Sequence, residues 1–347
     1  MDVESLEQIT LSKLSRAPGA FLFGVVWVGG WTAGTLFFDY TFIGGMIAQI
    51  VATNYPATTG TITESQVQSH STGDGTNYSA AIKYEYQVDG ESYSSDQVRY
   101  NYTNAGRSYA ESHSGRFAKD AQVTVYYNPA APSDAVLITG IESIDLFVCI
   151  FMLPFNLIML ASWYVSLGLL FGFSGDDDSL ELDVRQTAFE QRITLERISS
   201  LALGGVVAGA IAFVSVFVIG FGFGFSAPMP VVIANWAIIV GAALFLGLRQ
   251  RIRQLKGWFD LVIDDSSRTL TLPAFKKRKR PLTMGFEQVD YVEVVEHDKK
   301  SSDERVWRPT VYYSSDSGES LGEPIGDIKV EEKANRIRDW IRETIDL

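Results

Sequence analysis

Residues 17–38 read APGAFLFGVVWVGGWTAGTLFF, a run without a single charged side chain. A helix needs about 20 consecutive apolar residues to cross the hydrocarbon core of a bilayer. Residues 146–173, 198–225 and 230–248 form three further runs of the same kind. The sequence therefore predicts about four membrane-spanning helices. The last two form a hairpin, because Gly222, Gly224, Pro228 and Pro230 provide a tight turn between them.

The distribution of basic residues predicts the orientation of these helices. Lysine and arginine are absent from residues 17–82, 120–184 and 198–248, and they cluster before, between and after these gaps. Cytoplasmic loops carry an excess of Lys and Arg. We therefore expect a multi-pass protein of the cell (inner or plasma) membrane, with residues 1–16, the loop 174–197 and the C-terminus in the cytoplasm.

The first apolar run has a rival interpretation as a cleaved signal peptide. Beyond it, Phe42, Ile43, Met46, Ile47 and Ile50 recur at helical spacing. This spacing favours a retained anchor, residues 17–52, which continues past Asp39 as a helix in or near the outer interface.

Composition excludes several classes of protein. A formal net charge of −12 argues against nucleic-acid binding, because phosphate contacts require a basic surface. The only cysteine, Cys149, falls inside an apolar run, so disulfides and cysteine-based zinc sites are excluded. Catalytic and phosphate-binding motifs are also missing from the sequence, and we expect neither enzymatic activity nor a cofactor.

Residues 53–144 predict a small antiparallel sheet or partly closed barrel with one helix outside the cytoplasm. Apolar and polar residues alternate over 82–88, and Asp89-Gly90 then gives a strong hairpin signal. A short helix is expected around residues 105–118. Alternation returns at 123–127, and Asn128-Pro129 ends that strand before a last strand at 135–138.

Three blocks of this region carry a resemblance: YPATTGTITESQV, KYEYQVDGESYSS and VTVYYNPAAPSDAVL, with an apolar run directly after the last. In this order they resemble the bacterial membrane family known as domain of unknown function 3592, over about residues 20–172. The resemblance implies a membrane-anchored extracytoplasmic β module. It implies no activity.

Residues 249–347 predict a cytoplasmic β domain with a C-terminal helix. Alternating strands are expected at 261–263, 270–272, 289–295 and 310–313. One apolar helical face is formed by Val330, Ala334, Ile337 and Ile341. A run of strands followed by one C-terminal amphipathic helix, together with the sequence GWFDLVIDDSSRTLTL at residues 257–272, resembles the bacterial pleckstrin-homology-like domains.

A basic run falls between two of these strands, at Lys276, Lys277, Arg278, Lys279 and Arg280. Basic clusters just inside a membrane are expected to contact anionic lipid headgroups. The alternative is an exposed loop with no ligand. We predict that all five cations are solvated and are open to contact with anionic headgroups.

Few polar residues occur within the apolar runs. Asp39 is the ionisable one, and Asn156 and Asn235 can hydrogen-bond between helices. Glycines spaced four residues apart allow helices to approach closely, and two such pairs predict helix packing: Gly30 with Gly34, and Gly205 with Gly209. So few buried charges disfavour a transporter.

Other candidate ligands have ordinary explanations. His70, His113 and His297 are interpreted as surface residues without metal-ligand spacing. The triplet at 176–178 is interpreted as a solvated helix start. The outer tyrosines could stack a ligand, but cross-strand packing is the more common role. They are Tyr84, Tyr86, Tyr93, Tyr100 and Tyr102.

These observations predict a non-enzymatic envelope interaction or scaffold protein. Its two β modules would contact the bilayer surface, an unknown protein partner or another copy of the chain. An accessory subunit of a membrane enzyme or protease, and a small transporter component, remain the alternatives.

Overall fold

The computed structural model describes residues 18–72, 75–101, 106–171, 182–195, 198–224, 227–298, 305–314 and 319–347. They fall into two compact units, one of residues 1–164 with 205–243 and one of residues 165–204 with 244–347. The predicted N-terminal cytoplasmic segment, 1–16, and the acidic triplet, 176–178, lie outside the described residues.

The elements are, in chain order, α1 (Pro18–Val51), β1 (Ala57–Thr72), β2 (Gly75–Val88), β3 (Glu91–Ser95), α2 (Gly106–Arg116), β4 (Gln122–Asn128), β5 (Ala131–Val136), α3 (Ser143–Phe171), β6 (Val184–Gln186), β7 (Glu190–Thr194), α4 (Ser200–Phe223), α5 (Met229–Leu255), β8 (Asp260–Asp264), β9 (Thr269–Leu272), β10 (Leu282–Gly285), β11 (Val289–Asp298), β12 (Arg305–Ser314), β13 (Ser320–Pro324) and α6 (Glu331–Thr344).

Four of the described helices, α1, α3, α4 and α5, are long and apolar enough to cross a membrane. They correspond to the four apolar runs of the sequence. Helix α1 continues without a break from Pro18 to Val51. At 1.5 Å per residue it is about 50 Å long, which exceeds the thickness of a hydrocarbon core.

The first unit carries an antiparallel sheet of five strands in the order β3-β2-β1-β4-β5. We call residues 57–138, with this sheet and α2, the N-terminal β module. Asp89 and Gly90 both have positive φ and form the two-residue turn between β2 and β3, as the Asp-Gly signal predicts. Alternate residues of β2, among them Ile82, Tyr84 and Tyr86, point into the core of the module.

The second unit carries two antiparallel sheets, β10-β9-β8-β7-β6 and β11-β12-β13. We call residues 182–195 and 257–347 the C-terminal β module. Its single core joins side chains of both sheets, such as Leu261 and Val311, to the buried face of α6. That face consists of Ala334, Ile337 and Ile341, as the helical periodicity predicts, whereas Val330, also expected in it, precedes the helix as its N-cap.

Residues 174–197 were expected to form a loop apart from the C-terminal domain, but β6 and β7 lie in this segment and belong to the module's first sheet. Thr194 is the register partner of Asp260, and its Oγ1 donates to the Asp260 Oδ1 at 2.9 Å. The module is therefore assembled from two stretches of chain, with α4 and α5 inserted between β7 and β8.

Candidate functional site

The basic run forms a tight turn between β9 and β10. Phe275 and Arg278 exchange two backbone hydrogen bonds, with N···O distances of 2.9 and 2.8 Å. Lys276, within this turn, has a φ of +45°, a conformation that residues other than glycine seldom adopt. The turn therefore has a defined shape, whereas the sequence suggested an open loop.

Arg278 points inward and holds this turn in place. Its Nε and Nη2 donate to the Pro273 carbonyl oxygen at 2.9 and 2.8 Å. Nη2 also donates to the Pro324 carbonyl oxygen at 2.8 Å, and Nη1 pairs with Glu323. With 10% of its side chain exposed, Arg278 is not available to a headgroup, which corrects the expectation that all five cations are solvated.

Lys276 is also bonded within the module. Its Nζ lies 2.7 Å from the Asp327 Oδ2 and 4.9 Å from the centre of the Phe275 ring. Arg308 reaches the other oxygen of the same carboxylate, with Nε 2.6 Å from Oδ1. Burial favours a raised pKa at Asp327, but the hydrogen bonds from Lys276 and Arg308 outweigh it and hold the pKa below its usual value.

The other three cations of the run, Lys277, Lys279 and Arg280, are exposed. None of them pairs with an acidic residue in the part of the chain that the structure describes. Adjacent cations repel one another in the absence of an anion. These three side chains are thus the ones that could meet a negatively charged ligand.

The turn lies where α5 joins the sheet. The backbone N–H of Ala274 donates to the Trp258 carbonyl oxygen at 2.7 Å, and the Trp258 N–H donates to the Arg253 carbonyl oxygen at 3.0 Å. The Arg253 guanidinium lies 4.9 Å from the centre of the Trp258 ring. The basic turn and the basic end of α5 are therefore neighbours.

A second polar cluster attaches the N-terminal β module to α1 and α3, and sequence reasoning missed it. Arg99 has a fully buried side chain and donates through Nη2 to Asp145 in the first turn of α3. Its Nη1 lies 3.5 Å from Glu142. No local signal reveals this ion pair, because its partners are far apart in the sequence and Arg99 stands among ordinary polar residues.

Two more residues, Gln49 and Asn101, complete this attachment on the α1 side. Gln49 is fully buried, donates to the Ile138 carbonyl oxygen at 2.8 Å and accepts from the Tyr100 N–H at 3.0 Å. Asn101 donates to the Phe42 carbonyl oxygen at 2.7 Å, and its amide lies directly against Gly45. A Cβ at Gly45 would overlap that amide, so any larger residue must displace it.

The four packing glycines have two different environments. Gly205 and Gly209 lie against Leu157 of α3, which is 3.7 and 3.1 Å from the positions their Cβ atoms would occupy. Gly30 and Gly34 have open space around them among the described residues. The structure therefore places one pair at a contact within the chain and leaves the other uncovered.

Hydrogen bonds also join the apolar helices, as predicted for the two asparagines. Asn156 Nδ2 lies 3.3 Å from the Asp39 Oδ1, and Ser215 Oγ lies 2.8 Å from the Asn235 Oδ1. Ser215 has one hydroxyl hydrogen, and Oγ is also 2.7 Å from the Ile211 carbonyl oxygen. Both contacts are satisfied if the Asn235 amide donates to Ser215, an orientation that the network selects.

Tyr84, Tyr86 and Tyr93 pack within the N-terminal β module. Tyr84 and Tyr86 are buried, and the Tyr84 hydroxyl lies within hydrogen-bond distance of two carbonyl oxygens, 2.9 Å from that of Gln97 and 2.7 Å from that of Ala135. Burial raises the pKa of this hydroxyl above its ordinary value. The Tyr93 ring stacks on the Tyr86 ring, with 5.8 Å between the ring centres. Tyr102 lies outside the described residues. A ligand-stacking face is not formed by Tyr84 and Tyr86.

The three histidines differ. His113 was expected at the surface but is buried, with 8% exposed, because α2 packs it against the sheet. His297 is exposed at the end of β11, as expected. His70 lies in β1 opposite Asn77. No group of three or more His, Cys, Asp or Glu side chains with metal-binding geometry occurs among the described residues.

Residues 58–142 match the model of a protein family described as a domain of unknown function (DUF3592). The match confirms the resemblance stated from the sequence, over a shorter range than the expected 20–172. It covers the N-terminal β module and ends just before α3. Comparison with curated proteins found no match, and neither did comparison with solved structures.

Proposed function

We propose that this chain is a non-enzymatic, multi-pass protein of the cell envelope. It presents the N-terminal β module in a fixed orientation at the extracytoplasmic surface of the cell membrane, for contact with a protein partner or a second copy of the chain. The C-terminal β module, which we interpret as pleckstrin-homology-like, would lie at the cytoplasmic surface.

Membrane insertion of all four helices is supported by their exposed apolar side chains. Phe37 of α1 is 71% exposed, and Leu201 and Phe221 of α4 are 86% and 89% exposed. Side chains of this size in water would each forfeit about 1.5–3 kcal/mol of burial free energy. A hydrocarbon environment removes that penalty.

The orientation is supported by the sheet of the C-terminal β module. Because β7 pairs antiparallel with β8, the end of β7, which leads to α4, lies beside the start of β8, which follows α5. An inserted hairpin with its two ends side by side crosses the bilayer twice and returns to the same side. With the basic residues that flank it, this arrangement favours a cytoplasmic C-terminal β module.

The observation that carries the proposed role is the buried polar attachment of the N-terminal β module. A module on a flexible tether needs no such contacts, whereas Arg99, Gln49 and Asn101 bond this one to two helices. A bonded attachment fixes the orientation of the module relative to the helix axes. Fixed orientation matters for a surface that must meet a partner at a defined height above the bilayer.

Photo-crosslinking in living cells tests this role. A photoreactive side chain is placed singly at three exposed positions of the module, Ser92, Thr124 and Ala130, and at Leu160 of α3 as a lipid-facing control. We expect at least one module position to give a discrete protein adduct that Leu160 does not give.

The same adduct should respond to the attachment. Gly45→Leu displaces the Asn101 amide, whereas Gly44→Leu enters open space one residue away. We expect the adduct to weaken in the first variant and persist in the second. An absence of protein adducts at all three positions, or equal adducts in both variants, contradicts the proposal.

A further inference from the structure

We infer that Lys277, Lys279 and Arg280 form a binding surface for the anionic phospholipid headgroups of the bilayer into which α5 inserts. This inference goes beyond the proposed role of the N-terminal β module. It rests on the insertion of α5, which belongs to the proposed function.

The first step concerns charge. Three cations stand within four residues, and none has an acidic partner among the described residues. The two acidic residues that the turn contacts are already paired, Glu323 with Arg278 and Asp327 with Lys276 and Arg308. The local excess of positive charge is therefore not neutralised within the module, although the chain as a whole is acidic.

The second step concerns shape. Arg278 ties the turn to β13 and to Pro273, and Lys276 ties it to Asp327. With the turn held in this way, Lys277, Lys279 and Arg280 are exposed. Three cations on a turn of fixed backbone lose less conformational entropy on binding than three on a mobile loop.

The third step concerns position. The bond between Ala274 and the Trp258 carbonyl keeps the turn beside the residues that end α5. Trp258, half-buried and stacked with Arg253, is the kind of side chain that occupies the headgroup level of a bilayer. If α5 spans the bilayer, the exposed cations lie within reach of the cytoplasmic headgroups, whose negative surface potential attracts basic side chains.

The chemistry of an anionic oxygen alone does not distinguish a lipid phosphate from a dissolved one. The membrane is favoured because α5 holds the turn at its surface permanently, so the local concentration of headgroups is high. A dissolved phosphate would need a closed pocket, and these three side chains are exposed.

The test uses the full chain in nanodiscs of phosphatidylcholine with a minor share of photoactivatable phosphatidylglycerol. Lipid adducts on the peptide containing residues 273–281 are quantified by mass spectrometry. We compare the native chain with the triple variant Lys277→Gln, Lys279→Gln, Arg280→Gln. A charge-matched control carries Arg305→Gln, Arg336→Gln and Arg342→Gln, three exposed arginines elsewhere on the C-terminal β module.

We expect the triple variant to lower the adduct yield at least tenfold and the control to leave it unchanged. The yield on the native chain should also fall as salt rises, because the attraction is screened over about 8 Å at physiological ionic strength. This salt series needs no variant. Equal yields in the native chain and the triple variant overturn the inference.

A competition arm separates the two sources of phosphate. Inorganic phosphate should reduce the yield no more than chloride at equal ionic strength. A specific loss with phosphate would identify a site for dissolved phosphate and overturn the membrane assignment. Failure of α5 to insert would appear separately, as a chain that does not co-purify with nanodiscs, and would overturn the proposed function as well.

Discussion

Arg99 donates to Asp145 across the boundary between the N-terminal β module and α3, and less than 2% of either residue is exposed. The same Asp145 carboxylate accepts the backbone N–H of Glu142 at 2.9 Å. Val98 directly precedes Arg99 in the chain. Its carbonyl oxygen accepts hydrogen bonds from the N–H groups of both Leu137 and Ile138, at 2.9 Å. The charge pair and these backbone bonds therefore form one continuous connection between the sheet and the helix.

Removing the cation from this pair should loosen the connection. Arg99→Met leaves the Asp145 carboxylate buried without a counter-ion, a change that destabilises proteins by about 3–5 kcal/mol. Faster amide hydrogen exchange at Leu137 and Ile138 is the measurement. Lys83→Met is the control, because Lys83 pairs with Glu64 at the exposed surface. If both variants exchange alike, the buried pair does not hold the junction.

The glycine at position 45 should be required for the α1 contact. Gly45→Leu must expel the Asn101 amide and break its bond to Phe42, so the N–H of Tyr100 should exchange faster. Gly44→Leu meets open space and improves helix propensity by roughly 1 kcal/mol, so it should leave exchange at Tyr100 unchanged. Identical exchange at Tyr100 in the two variants would show that the contact is dispensable.

Arg278 should behave as a structural residue and Lys277 should not. Arg278→Gln removes the donors that satisfy two backbone carbonyls, Pro273 and Pro324, and costs about 1–3 kcal/mol for each buried acceptor left unpaired. We expect a lower unfolding temperature of the C-terminal β module, measured by limited proteolysis of the full chain during heating. Lys277→Gln should leave that temperature unchanged. The reverse ranking would refute the assigned orientations.

Local signals in the sequence were sufficient for the helices and for the hairpin at Asp89-Gly90, because apolar runs and turn residues act within a few positions. Strands β6 and β7 could not be found in this way. Their only strongly apolar members are Val184 and Ile193, and pairing with β8, across the inserted hairpin, makes them strands. The sequence also gave no sign of the Arg99–Asp145 pair.

The basic run shows a similar limit. Composition shows five cations in a row, but which of them turn inward depends on acceptors in β13 and at Asp327, far along the chain. The prediction that all five cations are solvated is therefore wrong for Arg278. The buried His113 has the same explanation, because the packing of α2 on β1 and β2 cannot be read from α2 alone.

The stability of the C-terminal β module should depend on pH through Asp327. Its pKa is lower when folded than when unfolded, so the module gains stability from this group above the unfolded pKa. That gain is lost as the pH falls through the lower, folded pKa. We expect the unfolding temperature of the module to drop in acid. In Asp327→Asn it should be lower at neutral pH and less sensitive to acid. An unchanged acid response in the variant would assign it to other groups.

Thiol labelling should establish the orientation of the chain. In a Cys149→Ala background, a cysteine at Ser92 on β3 should react with an impermeant reagent in intact cells. A cysteine at Ser266, exposed between β8 and β9, should react only after lysis. Reaction of the second thiol in intact cells would reverse the assignment that the positive-inside rule gives.

Because the C-terminal β module is assembled from two stretches of chain, we expect neither stretch to be sufficient for its folding. A fragment of residues 257–347 lacks β6 and β7, so it leaves an edge of β8 unpaired and removes Ile193 from the core. It also loses Gln191, whose side-chain oxygen accepts from the Trp340 indole at 3.2 Å. We expect this fragment to aggregate or to remain without fixed tertiary structure, because an open strand edge templates association.

A fragment in which β6 and β7 are joined directly to residues 257–347 should restore the pairing of β8 and the contacts of Ile193 and Gln191. Since Thr194 and Asp260 are register partners, a few Gly and Ser residues suffice to join residues 182–195 to residues 257–347 in place of α4 and α5. This fusion should be soluble and β-rich and should unfold cooperatively in a thermal scan. Ile193→Asp in the fusion should abolish the transition, because it buries an unpaired charge, whereas exposed Gln186→Asp should not. A cooperative transition in the 257–347 fragment, equal to that of the fusion, would mean that β6 and β7 add nothing to the module.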